Sequence, residues 1–137
     1  MNSYLYEELY IGLTASFSVV ITEEHLSVFQ NLTGDINPLH SDKQYAQEKG
    51  YPSKIVFGML TASYYSTLAG VYLPGERSLL HSVETKFLAP VFCGDKLTIF
   101  GTVADKSDTF KQITIKANIE NQQGQMVSKA TLKVGVI

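Results

Sequence analysis

The sequence predicts an α+β domain in which a five-stranded antiparallel sheet wraps around one long central helix. Three observations predict it. A short β-branched run stands ahead of all the helical segments. A long uncharged stretch occupies the middle of the chain. Four alternating segments, each near ten residues, follow it. Such alternation marks strands with one buried face, and an apolar sheet face must be covered by another layer. The uncharged stretch is the only candidate cover, so the sheet should curl around it.

The elements follow in order. "FSVVI", 17–21, reads as a strand. Thr22 then caps a helix whose first turn holds Glu23 and Glu24, which favour that end of the dipole. This helix runs through Leu26, Phe29 and Leu32 and ends near Gly34. "DINPLH" is predicted as a loop, because Pro38 forces Asn37 out of helical geometry. Ser41 or Asp42 caps a short helix, "KQYAQEK", closed by Gly50, and "YPSKIV" connects onward. The central helix is predicted from about Phe57 to Ala69, with Gly70 ending it. After Pro74 and Gly75 the period changes. Val83, Thr85 and Phe87 share one face, as do Leu97, Ile99 and Val103. Ile113, Ile115, Ala117 and Ile119 form a third row, and Met126, Ala130, Leu132, Val134 and Val136 a fourth. "CGD", "KSDT" and "NQQG" are the turns between them.

At 137 residues the chain fits one domain, 1–137, able to bury about two thirds of its unfolded surface. No repeat, low-complexity segment or linker suggests a second. Net charge is −2 and the pI about 5.9, which argues against a nucleic-acid binder. Cys93 is the single cysteine, so no internal disulfide forms and a reducing, cytoplasmic setting is expected. The opening "MNSYLYEELY" lacks a basic start and has Glu7 and Glu8 where a leader needs apolar residues. Between Lys54 and Glu76 no charge occurs, and length alone would suit a bilayer. Thr61, Ser63, Tyr64, Tyr65, Ser66, Thr67 and two glycines dilute that stretch, and a helix buried all round in a globular domain fits it better.

Chemistry concentrates in "GDINPLH", 34–40. Asp35 and His40 sit five apart on a segment braced by Pro38. A carboxylate and an imidazole held there can share one water and move protons both ways, with Asn37 orienting the same water. The same residues also suit a plain turn and helix cap. Gly58 opens the central helix, where backbone N–H groups are unpaired and the dipole is positive. A carbonyl oxygen gaining charge can be held at such an end; equally, Gly58 can serve close packing of helix on sheet. Ser66, two turns further on, can bond an acyl carbonyl or its own helix. His25 and His81 stand isolated, Cys93 has no basic neighbour in sequence, and no ligand set has metal spacing. Neither a G-x-S-x-G elbow nor a phosphate-binding glycine loop is present.

"LTGDINPLH", "IVFGMLTASYYSTLAG" and "LPGERSLLHSVETKFLAPVFCGD", in that order, resemble the MaoC-like dehydratases, which include the (R)-specific enoyl-CoA hydratases. The resemblance runs from about Phe17 to the C-terminal strands. It implies a hotdog fold and a homodimer with each active site near the subunit interface. By motif it implies Asp35 and His40 as the catalytic pair and Asn37 as a residue that positions the water. It also implies Gly58 as the backbone N–H for the thioester oxygen, and Ser66 as a serine near the acyl group. The reaction implied is reversible syn hydration of a trans-2-enoyl thioester to the (R)-3-hydroxyacyl thioester, with the CoA or carrier-protein thioester as substrate and no further cofactor. Phe57 departs from the family, which often has His before this glycine. Thioester hydrolysis on the same fold would need an acidic residue on the central helix, and none lies there. A carrier-protein dehydratase and a non-catalytic thioester binder are the alternatives; no basic patch for a carrier stands out in the sequence. Tyr64, Tyr65, Leu68 and Tyr72 are candidate pocket-lining residues, a bulky set that would favour short acyl groups.

Overall fold

A computed structural model describes all residues, Met1–Ile137. Strand β1 spans Thr14–Val20 and is followed by helices α1 (Glu23–Thr33), α2 (Pro38–Ser41), α3 (Lys43–Glu48) and α4 (Gly58–Thr67). Strands β2 (Ser78–Phe87), β3 (Lys96–Ser107), β4 (Gln112–Glu120) and β5 (Met126–Val136) complete the chain. All pairings are antiparallel, in the order β1-β3-β4-β5-β2. This is the hotdog arrangement that the resemblance implies.

Local chemistry explains the early helices. Thr22 Oγ1 accepts from the His25 N–H at 3.2 Å while His25 Nδ1 accepts from the Thr22 N–H at 3.1 Å. That reciprocal cap places His25 where a Glu usually stands. Gly34, at φ 75°, closes α1 in the left-handed region. The expected loop at 35–40 contains a helical turn instead. Pro38 takes the first helical position, where its missing N–H costs nothing, and Asn37 Oδ1 caps it through the Leu39 N–H at 3.0 Å. Asp42, rather than Ser41, caps α3 through the Tyr45 N–H at 3.0 Å.

The register shows why α4 lies across the sheet. Gly101, Ala117 and Ala130 form a row of small residues on the inner face. A methyl on Gly101 would stand 2.7 Å from Leu68 Cδ2, so this trough admits the helix end. Larger rows flank it, with Val103, Ile115, Leu132 and Val83 on one side and Ile99 and Ile119 on the other. One apolar cluster joins helix and sheet, with Tyr65, Leu68, Ile99, Ile115 and Leu132 fully buried. Each such side chain contributes about 1.5–3 kcal/mol. Tyr65 Oη donates to Ser128 Oγ at 2.9 Å, and Ser128 Oγ lies 3.1 Å from Thr85 Oγ1, so the buried phenol is satisfied. Burial raises the Tyr65 pKa, which keeps that phenol neutral.

Three expectations need correction. Helix α4 stops at Thr67 and passes into a π-helical turn, Leu68–Tyr72, so it is shorter than predicted. It is also not buried all round, because Met59, Ser63 and Ser66 are exposed on a face the sheet does not reach. No helix is long and apolar enough to cross a membrane. Finally, a bulge between β4 and β5 breaks the fourth alternating row. It turns both Val127 and Ser128 inward and leaves Met126 outside, 41% exposed.

Candidate active site

The turn α2 is stitched to residue 55 by two hydrogen bonds. The Ile55 N–H donates to the Leu39 carbonyl at 3.0 Å. In return, His40 Nδ1 lies 2.6 Å from the Ile55 carbonyl oxygen. A carbonyl can only accept, so Nδ1 carries a hydrogen, and in the neutral imidazole the lone pair is then on Nε2. Ile55 is itself held by a bridge to Phe92, and the Val56 N–H donates to the Val91 carbonyl at 2.8 Å. The imidazole also packs on Phe57, with ring centroids 4.2 Å apart, and Phe57 packs on Phe29 at 5.0 Å. Lys54 binds Glu23 at 2.7 Å and ties the same connector to the start of α1. The Lys54 ammonium holds the Glu23 carboxyl below its ordinary range.

Helix α4 begins just after this anchor. Phe57 provides no side-chain cap, so the N–H groups of Gly58, Met59 and Leu60 have no intrahelical acceptor. Gly58 is also a packing residue, since a methyl there would lie 3.3 Å from the Phe87 ring. Both readings of Gly58 are therefore compatible with its place.

His40 and Gly58 line one cleft of about 420 Å³. Tyr51, Phe87, Leu88 and Pro90 form its exposed mouth, and Val56, Thr61, Val91 and Val127 its buried floor. Asp35 and Asn37 stand outside this lining, on the exposed segment leading into it. Asp35 Oδ1 accepts from the Asn37 N–H at 3.1 Å, a turn that leaves Oδ2 open. Asn37 spends its carbonyl oxygen on α2 and keeps its amide hydrogens. Ser66 is exposed on α4 and lies outside the cleft. The tyrosine lining expected from sequence is not found. Tyr72 stacks on Phe17 at 4.9 Å, Tyr64 meets Phe17 edge-on at 6.4 Å, and Tyr65 lies in the core with Leu68. Sequence reasoning passed over Thr61, although it sits three residues past Gly58 on the same helix face. No three His, Cys, Asp or Glu side chains converge anywhere in the chain.

Residues 12–125 match the MaoC like domain. The chain belongs to the MaoC-like family. It is 33% identical over 113 residues to the (R)-specific enoyl-CoA hydratase of Rhodospirillum rubrum, covering 82% of this chain and 78% of that protein. Against the (R)-specific enoyl-CoA hydratase of Aeromonas caviae it is 32% identical over 120 residues, covering 88% and 90%. The solved (R)-hydratase of A. caviae, described as involved in PHA biosynthesis, superposes with a TM-score of 0.91 at 30% identity, covering 96% of this chain and 99% of that one. Within the MaoC-like family, then, this member has Phe57 packed against His40.

Proposed function

We propose that this MaoC-like protein catalyses reversible hydration of a trans-2-enoyl thioester to the (R)-3-hydroxyacyl thioester, with acyl-CoA as the substrate class. The reading rests on His40, which is tied through Nδ1–H to the Ile55 carbonyl and shares a cleft with the open helix end at Gly58. Its neutral Nε2 takes a proton from water as the water oxygen bonds to the β-carbon. The alkene electron pair shifts toward the thioester oxygen, whose growing charge the Gly58 N–H stabilises. The imidazolium then returns its proton to the α-carbon on the same face, which makes the addition syn and the sum of atoms one water. Asp35 Oδ2 and the Asn37 amide hold that water. The reaction is redox-neutral and needs no cofactor beyond the thioester.

Relatives named (R)-specific enoyl-CoA hydratase and 3-hydroxybutyryl-CoA dehydratase support the substrate class. Helix α4 carries no carboxylate, so hydrolysis lacks its base. Burial first, and then nearby Glu23, raises the pKa of Cys93, so its thiol stays protonated and unreactive; a single cysteine with no partner suits a reducing, cytoplasmic setting. The test is loss of enoyl absorbance with crotonyl-CoA and chiral analysis of the product. Formation of the (R)-alcohol is expected; the (S)-alcohol or no turnover by folded protein would sink the reading.

A carrier-protein substrate is favoured by one observation. Lys86 and Lys129 are directly paired across β2 and β5, and Lys116 and Lys133 share their outer sheet face. None of the four has a carboxylate within ion-pair reach, although Glu84 stands among them. The folded chain thus forms a basic face that the linear sequence hides, with Lys86 one residue from Phe87 at the cleft mouth. Crotonyl-carrier protein in the same assay decides between the two carriers.

We further propose a homodimer through β2. This strand ends the sheet with one side unpaired, and Leu79, Val83, Phe87 and Leu88 are each 40–52% exposed along it. Such an edge invites pairing with another strand. Light scattering is expected to give twice the 15.2 kDa chain mass; a monomeric mass at micromolar concentration would remove the claim.

A further inference from the structure

The Thr61 side chain is 2% exposed, and its Oγ1 has no hydrogen-bond partner in the protein. Helical threonines ordinarily bond back to the carbonyl one turn earlier. Here the Phe57 carbonyl receives the Thr61 N–H at 3.2 Å, and the hydroxyl is left to the cleft floor. The other buried residues of that floor, Val56, Val91 and Val127, have no polar side-chain atom. A buried hydroxyl without a partner is costly, and replacing it with an apolar group of the same shape would remove that cost.

The cleft also decides which part of a ligand meets Thr61. A CoA or carrier arm is far too large for the cavity and must leave through the mouth at Tyr51, Leu88 and Pro90. The acyl group therefore points to the floor. Residues three apart on a helix are neighbours, about 5–6 Å between Cβ atoms. A four-carbon acyl group whose carbonyl meets the Gly58 end spans most of that distance. We infer that Thr61 is a specificity residue whose hydroxyl hydrogen-bonds a polar substituent on a short acyl group, so that the cleft prefers hydroxylated or oxo-substituted acyl thioesters to plain alkyl ones of equal length. This deepens the hydratase reading and rests on it for the placement of the thioester.

Equilibrium binding separates the two. Butyryl-CoA and 4-hydroxybutyryl-CoA lack both the double bond and the 3-hydroxyl, so neither can react. Wild type is expected to bind the hydroxylated ligand about tenfold more tightly. Thr61→Val should abolish that preference, and Thr61→Ser should keep it. In the absence of ligand, Thr61→Val should also raise the melting temperature by about 2–4 °C. An unchanged preference in Thr61→Val, or a lowered melting temperature showing that the hydroxyl was already satisfied, overturns the inference. Loss of crotonyl-CoA turnover with the binding preference intact would instead remove the hydratase reading and leave the Thr61 contact standing.

Discussion

His40→Ala is expected to lower kcat/KM for crotonyl-CoA hydration by about 10²–10⁴-fold. The reason is geometric. Only one ring nitrogen is free to move a proton, because the other is committed to the Ile55 carbonyl at 2.6 Å. Asp35→Asn is the sharper companion. Asparagine can accept the same Asn37 N–H that Asp35 Oδ1 accepts at 3.1 Å, so the turn should survive. What is lost is the charge on the open oxygen. A fall of about 10²-fold or more with an unchanged melting profile would make Asp35 chemical as well as structural. Near-wild-type rates in Asp35→Asn would confine it to the turn, and near-wild-type rates in His40→Ala would end the proposed mechanism.

The central architecture was readable because period and charge are strong signals. Alternation located β2 to β5, and the uncharged stretch located α4. The failures have physical causes. Proline at 38 argued against helix, yet the first helical position needs no N–H, so α2 begins on it. Met126 followed the alternating pattern into the core, but the bulge at Ile119 and Glu120 reverses the facing there. Tyr64 and Tyr72 looked like pocket walls because they share the helical stretch with Gly58. Phe17 of β1 claims both, and that contact spans more than forty residues of sequence. The basic outer face arises only when four lysines from three strands are set in register. At the site, residue types pointed to Asp35 and His40, but the proton's place on Nδ1 depends on Ile55, which no spacing rule singles out.

Phe57 is where fold and chemistry meet, and Phe57→Ala is the second large effect. The side chain is 2% exposed, wedged between Phe29 and His40. Truncating a buried Phe costs about 3–5 kcal/mol, which in a chain of this size lowers the melting temperature by about 10 °C or more. The imidazole would also lose one of its two supports, so activity measured well below the new midpoint should fall beyond the folded fraction. Phe57→His separates packing from polarity. An aromatic ring of nearly the same thickness can still stack on His40, while its nitrogens enter a buried site with no ready partner. Activity within about tenfold of wild type, with lowered stability, would show that Phe57 acts by bracing the His40 ring. A gain in rate would mean that a polar group beside Gly58 improves the oxyanion site, and that Phe57 limits turnover in this member of the family. Full stability in Phe57→Ala would contradict the packing itself.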